Sequence, residues 1–114
     1  MKFLLQVRFN GADKVIGALS AEEQKKVTGE FEAIRQSPGV LDGNQLQAAG
    51  EAATVRVKDG TTQVTAGPDF EAGNERDGYY VYDAPGLDAA IAFAARIPVA
   101  RLGGTVEVRP MLVR

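Results

Sequence analysis

Residues 54–70 read TVRVKDGTTQVTAGPDF, the most informative stretch of the chain. Val55 and Val57 alternate with Thr54, Arg56 and Lys58. Beyond Lys58-Asp59-Gly60-Thr61, the residues Thr62, Val64 and Ala66 alternate with Gln63 and Thr65. Asp-Gly between two alternating runs is the strongest short-range hairpin signal, because a two-residue primed turn needs positive φ at both central positions. Gly67-Pro68 closes the second run, since proline has no amide hydrogen to extend a ladder.

Working back from the hairpin, residues 40–47 form a weaker strand with Val40, Leu41 and Leu46 as its apolar content, and Gly43 suggests a bulge. Residues 50–52 turn the chain into the hairpin. Upstream, Val27, Phe31 and Ile34 recur at i, i+4 and i+7, the stripe of an amphipathic helix. Ser20-Ala21-Glu22-Glu23 opens that helix as a capping box, and Ser37-Pro38-Gly39 ends it. Residues 11–17 read as a loop. At the start of the chain, Phe3, Leu5, Val7 and Phe9 alternate with Leu4, Gln6, Arg8 and Asn10, the period of a strand.

Working forward, the loop at 67–77 carries Asp69, Glu71, Glu75 and Asp77 and reads as surface-exposed. Residues 78–82, GYYVY, are apolar or aromatic on both faces, as expected of a central strand covered on both sides. Leu87, Ala90, Ile91, Ala94 and Ala95 trace a second helix. Asp88 falls in its first turn and Arg96 in its last, both suited to the helix dipole, and Pro98 stops it. Gly103-Gly104 then turns the chain into a last strand at 105–109.

The chain has 114 residues, with 45% hydrophobic and 25% charged side chains, which suits a single α+β domain over 1–114. A net charge of −2 without a basic stripe argues against nucleic-acid binding. No apolar run approaches the ~20 residues a membrane span requires. The apolar start at 3–5 is interrupted by Gln6 and Arg8, too short for a signal peptide, so a cytoplasmic location is expected. There is no Cys and no His. A Ser-His-Asp triad and a thiolate zinc site are therefore both excluded within one chain. No metal and no cofactor is expected.

Strand, helix, strand, hairpin, strand, helix, strand is a βαββαβ core with an inserted β-hairpin. Two helices cover one face of its antiparallel sheet. Leu4 and the aromatics at 79–82 place apolar side chains on the other face as well. A homodimer with two sheets facing each other is the economical cover.

Thr54-Val-Arg-Val-Lys-Asp-Gly, Val64-Thr-Ala-Gly-Pro-Asp-Phe-Glu and Gly78-Tyr-Tyr follow one another in order. They are joined by Leu87-Asp-Ala-Ala, Ala95-Arg-Ile-Pro and the closing Gly103-Gly104 with Val106-Glu-Val-Arg-Pro. Together these motifs resemble the YCII-related superfamily, in its DGPF-domain branch, over nearly the whole chain. The resemblance implies a ferredoxin-like dimeric α+β barrel. Relatives of that fold include muconolactone isomerase-like and dehydrochlorinase-like enzymes, and YCII proteins carry a His/Asp pair that this His-free chain cannot supply. Where the branch has Asp-Gly-Pro-Phe, this chain has Ala66-Gly67-Pro68-Asp69-Phe70. Similarity to neighbours of sigma factors points to a regulatory setting.

Asp69 and Glu107 are the carboxylates available as a general base. Arg56 offers a planar fork for a substrate carboxylate, or an ion pair with Glu107 or Asp83. Gly67 and Pro68 would form the mouth of a pocket, with Phe70 as a wall and a tyrosine, Tyr79 foremost, donating to an oxyanion. Glu107 and Arg109 share a strand face and suit an edge pair. Two functions stay open: a dimeric module binding a small acid or a partner protein, and a cofactor-free isomerase or lyase acting on a keto/enol or aromatic-derived acid.

Overall fold

The computed structural model describes residues 1–9, 11–68 and 77–113, with the backbone alone at 12 and 13. Among the described residues six strands and three α-helices run in the order β1 (Lys2–Arg8), α1 (Ala12–Gly17), α2 (Ala21–Arg35), β2 (Val40–Gln45), β3 (Ala53–Lys58), β4 (Thr61–Ala66), β5 (Gly78–Asp83), α3 (Leu87–Ala94) and β6 (Thr105–Pro110). A four-stranded antiparallel sheet has the order β2-β5-β1-β6, the ferredoxin-like arrangement. The hairpin β3-β4 is a separate two-stranded sheet. No helix among the described residues is long and apolar enough to cross a membrane.

Strand parity builds the core. Phe3 and Leu5 are fully buried and Val7 nearly so, and they pair with Tyr82, Tyr80 and Gly78 on β5 and with Pro110, Val108 and Val106 on β6. Ile34 of α2, Ala90 and Phe93 of α3, and Ile97 and Val99 beyond it, complete the same cluster. Tyr82 stacks on Phe93 with centroids 4.0 Å apart and planes at 10°. The aromatic run thus splits by parity: Tyr80 and Tyr82 face the helices, while Tyr79 and Val81 face away from them.

Local signals explain the elements. Ser20 Oγ accepts the Glu23 amide at 3.1 Å and donates to the Glu23 carboxylate at 3.0 Å. The box therefore closes through the hydroxyl rather than through the Ser20 amide. Asp59 and Gly60 take φ of 51° and 77°, the primed turn the hairpin requires.

Four expectations need correction. Residues 12–17 form a short helix, because Gly11 at φ 71° offers its carbonyl to the amides of Lys14 and Val15 while Val15 and Ile16 pack on the core. β2 ends at Gln45, and its irregularity falls between Val40 and Asp42 rather than at Gly43. Gly43 pairs with Tyr80, and a Cβ there would lie 2.6 Å from the Tyr80 ring; the missing side chain makes room for the phenol. α3 stops at Ala94, so Arg96 lies beyond it, with its guanidinium 5.5 Å from the centroid of the Phe93 ring.

Candidate functional site

A cavity of about 430 Å³ opens between α2 and the β2-β5 side of the sheet. Thr28, Phe31, Glu32 and Arg35 follow the i, i+3, i+4, i+7 spacing and form its helical wall. The buried Val7, Phe9 and Val99 line its inner side, and the buried Gly78 lies between Gln45 and Val7. The volume lies within the range of small-molecule sites, roughly 300–1,000 Å³.

Polar groups are few. The Tyr80 phenol is half-buried, and desolvation raises its pKa above the ordinary 10.0 while the positive Arg35 pulls the other way. Arg35 is exposed at the rim and makes no ion pair among the described residues. Glu32 accepts from Gln36 Nε2 at 2.9 Å. Asp77 is occupied in holding the fold: its carboxylate accepts the Phe9 amide, its amide donates to Val7 O at 2.8 Å, and its carbonyl accepts from Leu46 at 2.8 Å. This half-buried residue ties β1, β2 and β5 together, which corrects its assignment to an exposed acidic loop. Chemically, the cavity offers an apolar chamber with the Tyr80 phenol and the Arg35 guanidinium, and the carboxylate residues Glu32 and Asp77 are in its lining. Among the described residues no group of carboxylates is arranged to hold a metal ion.

The opposite face of the sheet carries a second polar array. Tyr79 Oη donates to Asp42 at 3.1 Å and accepts from Asn44 Nδ2 at 2.9 Å. Across β1, Gln6 Nε2 donates to Glu107 at 3.2 Å, and Arg109 pairs with Glu107 at 2.7 Å, as the shared strand face anticipates. The row Asn44–Tyr79–Gln6–Glu107 therefore places Tyr79 and Glu107 two strands apart on one face, about 10 Å from each other.

The YCII-related domain family matches residues 16–113. The chain belongs to the YCII-related family. Among curated proteins, none matches it.

In this YCII-related chain the residues singled out from sequence occupy three places. Tyr79 and Glu107 lie on the helix-free face. Arg56 lies on the polar side of the hairpin, and its expected partners are engaged elsewhere: Glu107 by Arg109, and Asp83 by the N-terminal ammonium at 3.2 Å. Gly67 and Pro68 close the base of the hairpin, where the Gly67 amide donates to Ala52 O at 2.7 Å and its carbonyl accepts the Thr54 hydroxyl at 2.8 Å. Asp69 and Phe70 fall outside the described residues. Sequence reading missed Arg35 and gave Tyr80 no role distinct from its neighbours. One signal was available for Arg35, which follows Phe31 by four residues and so flanks the apolar stripe of α2.

Proposed function

We propose that the protein is a homodimeric binding module for a small organic acid, held in the cavity between α2 and the sheet. The ligand's carboxylate sits on Arg35, its apolar body lies among Phe9, Phe31 and Val99, and the Tyr80 phenol donates to it. One observation carries this reading: an available guanidinium at the rim of a mostly apolar chamber large enough for a small molecule. Calorimetry with small aromatic and keto acids and with their uncharged amides is the test. Acids should bind and amides should not, and Arg35→Gln should weaken the acids about tenfold or more, the range of a lost charge-assisted hydrogen bond. Equal binding of acid and amide would remove the basis for the reading.

The homodimer is supported by the helix-free face. Its row Asp42–Val81–Leu4–Arg109 is self-complementary. A two-fold axis along the strands sets Asp42 against the partner's Arg109 and Val81 against the partner's Leu4.

A second reading, a cofactor-free isomerase or lyase acting on such an acid, draws on the row holding Tyr79 and Glu107. In it Glu107 or, as the alternative, Asp69 is the base, and Tyr79 is the oxyanion donor. Turnover that disappears in both Tyr79→Phe and Glu107→Gln would select it over the binding module.

A further inference from the structure

The hairpin β3-β4 is a two-sided ribbon. Pairing of Ala53 with Ala66, Val55 with Val64 and Val57 with Thr62 puts all of these residues on one side, and Thr54, Arg56, Lys58, Thr61, Gln63 and Thr65 on the other. The apolar side is uncovered: Val55, Val57 and Val64 are 60%, 68% and 66% exposed. A lone two-stranded hairpin is marginal in water, and three aligned valines gain nothing by facing solvent. The ribbon also stands away from the body. The radius of gyration is 16.2 Å, against about 13 Å for a compact chain of this length.

We infer that the valine face of the hairpin is an arm that clasps a second copy of this chain. This rests on the homodimer proposed above and adds to it a surface that the sheet-to-sheet arrangement does not use. Area favours a second copy as the occupant. Four strands of six residues present a face of roughly 400 Å², so two sheets alone bury about 800 Å², the size of a crystal contact. Each ribbon adds a face of roughly 200 Å², bringing the total to about 1,200 Å², the threshold of specific association. Two-fold symmetry uses every such surface twice, and the charge-matched row on the sheet already fits a second copy. The arm is the part that turns a weak stacking into a stable pair.

Sedimentation velocity from about 1 to about 100 µM separates the outcomes. Wild-type protein should be dimeric, and Val57→Lys with Val64→Lys should raise the dimer dissociation constant roughly tenfold or more with an unchanged circular-dichroism spectrum. Gln63→Lys with Thr65→Lys, on the opposite side, should leave it unaltered. A dimer indifferent to the valine substitutions overturns the arm and leaves the homodimer standing. A wild-type monomer throughout overturns both. Should the valine variant misfold, hydrogen exchange on the wild type decides: amides of 55–57 and 62–64 should slow as concentration rises, and exchange independent of concentration overturns the arm.

Discussion

Tyr80 shows how one side chain joins fold and site. Its ring occupies the space that Gly43 leaves and its hydroxyl approaches the cavity, so the same burial that fixes the ring disfavours the phenolate. A raised folded-state pKa means that the contribution of neutral Tyr80 to stability is complete below pH 10.0 and is lost as pH rises through the folded value. The absorbance difference between wild type and Tyr80→Phe should therefore show phenolate only above that pH. A bound carboxylate that neutralises Arg35 should move the transition higher still, and a transition unmoved by ligand would separate Tyr80 from the binding event. Gly43 makes the complementary case. Gly43→Val places a branched side chain where the Tyr80 ring lies, and urea denaturation should show a loss of about 1–3 kcal/mol.

Among elements, α2 does two jobs. Val27 and Ile34 form its buried stripe, with Ile34 in the core cluster beside the sheet, and its flank lines the cavity. Its solvent side is tied to the segment after α3 by Arg101, whose two guanidinium nitrogens reach the Glu30 carboxylate at 2.5 and 2.7 Å. The hydrogen bond from Arg101 lowers the Glu30 carboxyl below the ordinary 4.5. Stability from this pair is therefore present above pH 4.5 and lost as pH falls through the depressed value. Acid unfolding followed by circular dichroism should begin at higher pH in Glu30→Gln than in wild type. An unchanged acid limb would show that solvent screening cancels the pair. Within β1, Phe3→Ala should cost about 3–5 kcal/mol, because its fully buried ring sits mid-sheet between β5 and β6.

At the scale of the molecule, the protein is one sheet under one helical layer, 19 Å thick along its shortest axis, with the hairpin as an outlier. The helix-free face is less greasy than its sequence suggests. Leu4 and Val81 sit at its centre, and Asp42, Asn44, Gln6, Glu107 and Arg109 surround them. The proposed two-fold predicts a charge-reversal pattern. Arg109→Asp should weaken dimerisation several-fold, and adding Asp42→Lys in the same chain should restore it, because each contact then pairs again with signs exchanged. Failure of the second substitution to restore the dimer, measured by sedimentation, would rule out that axis.

Local periodicity and turn chemistry alone determined the order of the six strands and of the helices α2 and α3, though not α1, together with the primed turn at Asp59-Gly60, the cap at Ser20 and the burial of Phe3, Leu5 and Val7, since each depends on neighbours within a few residues. Family membership was legible too, in motifs spread along the chain. Register was not. Only strand pairing decided that Tyr80 rather than Tyr79 faces the helices, that Tyr79 and Glu107 share a row, and that Arg56 sits on a ribbon apart from both. The cavity depends on side chains far apart in sequence, such as Arg35, Gln45 and Tyr80. A helix flank, a strand end and a missing side chain carry no mark of one another until packing brings them together. Sequence therefore specifies the parts and their inward faces, and tertiary contact specifies the site.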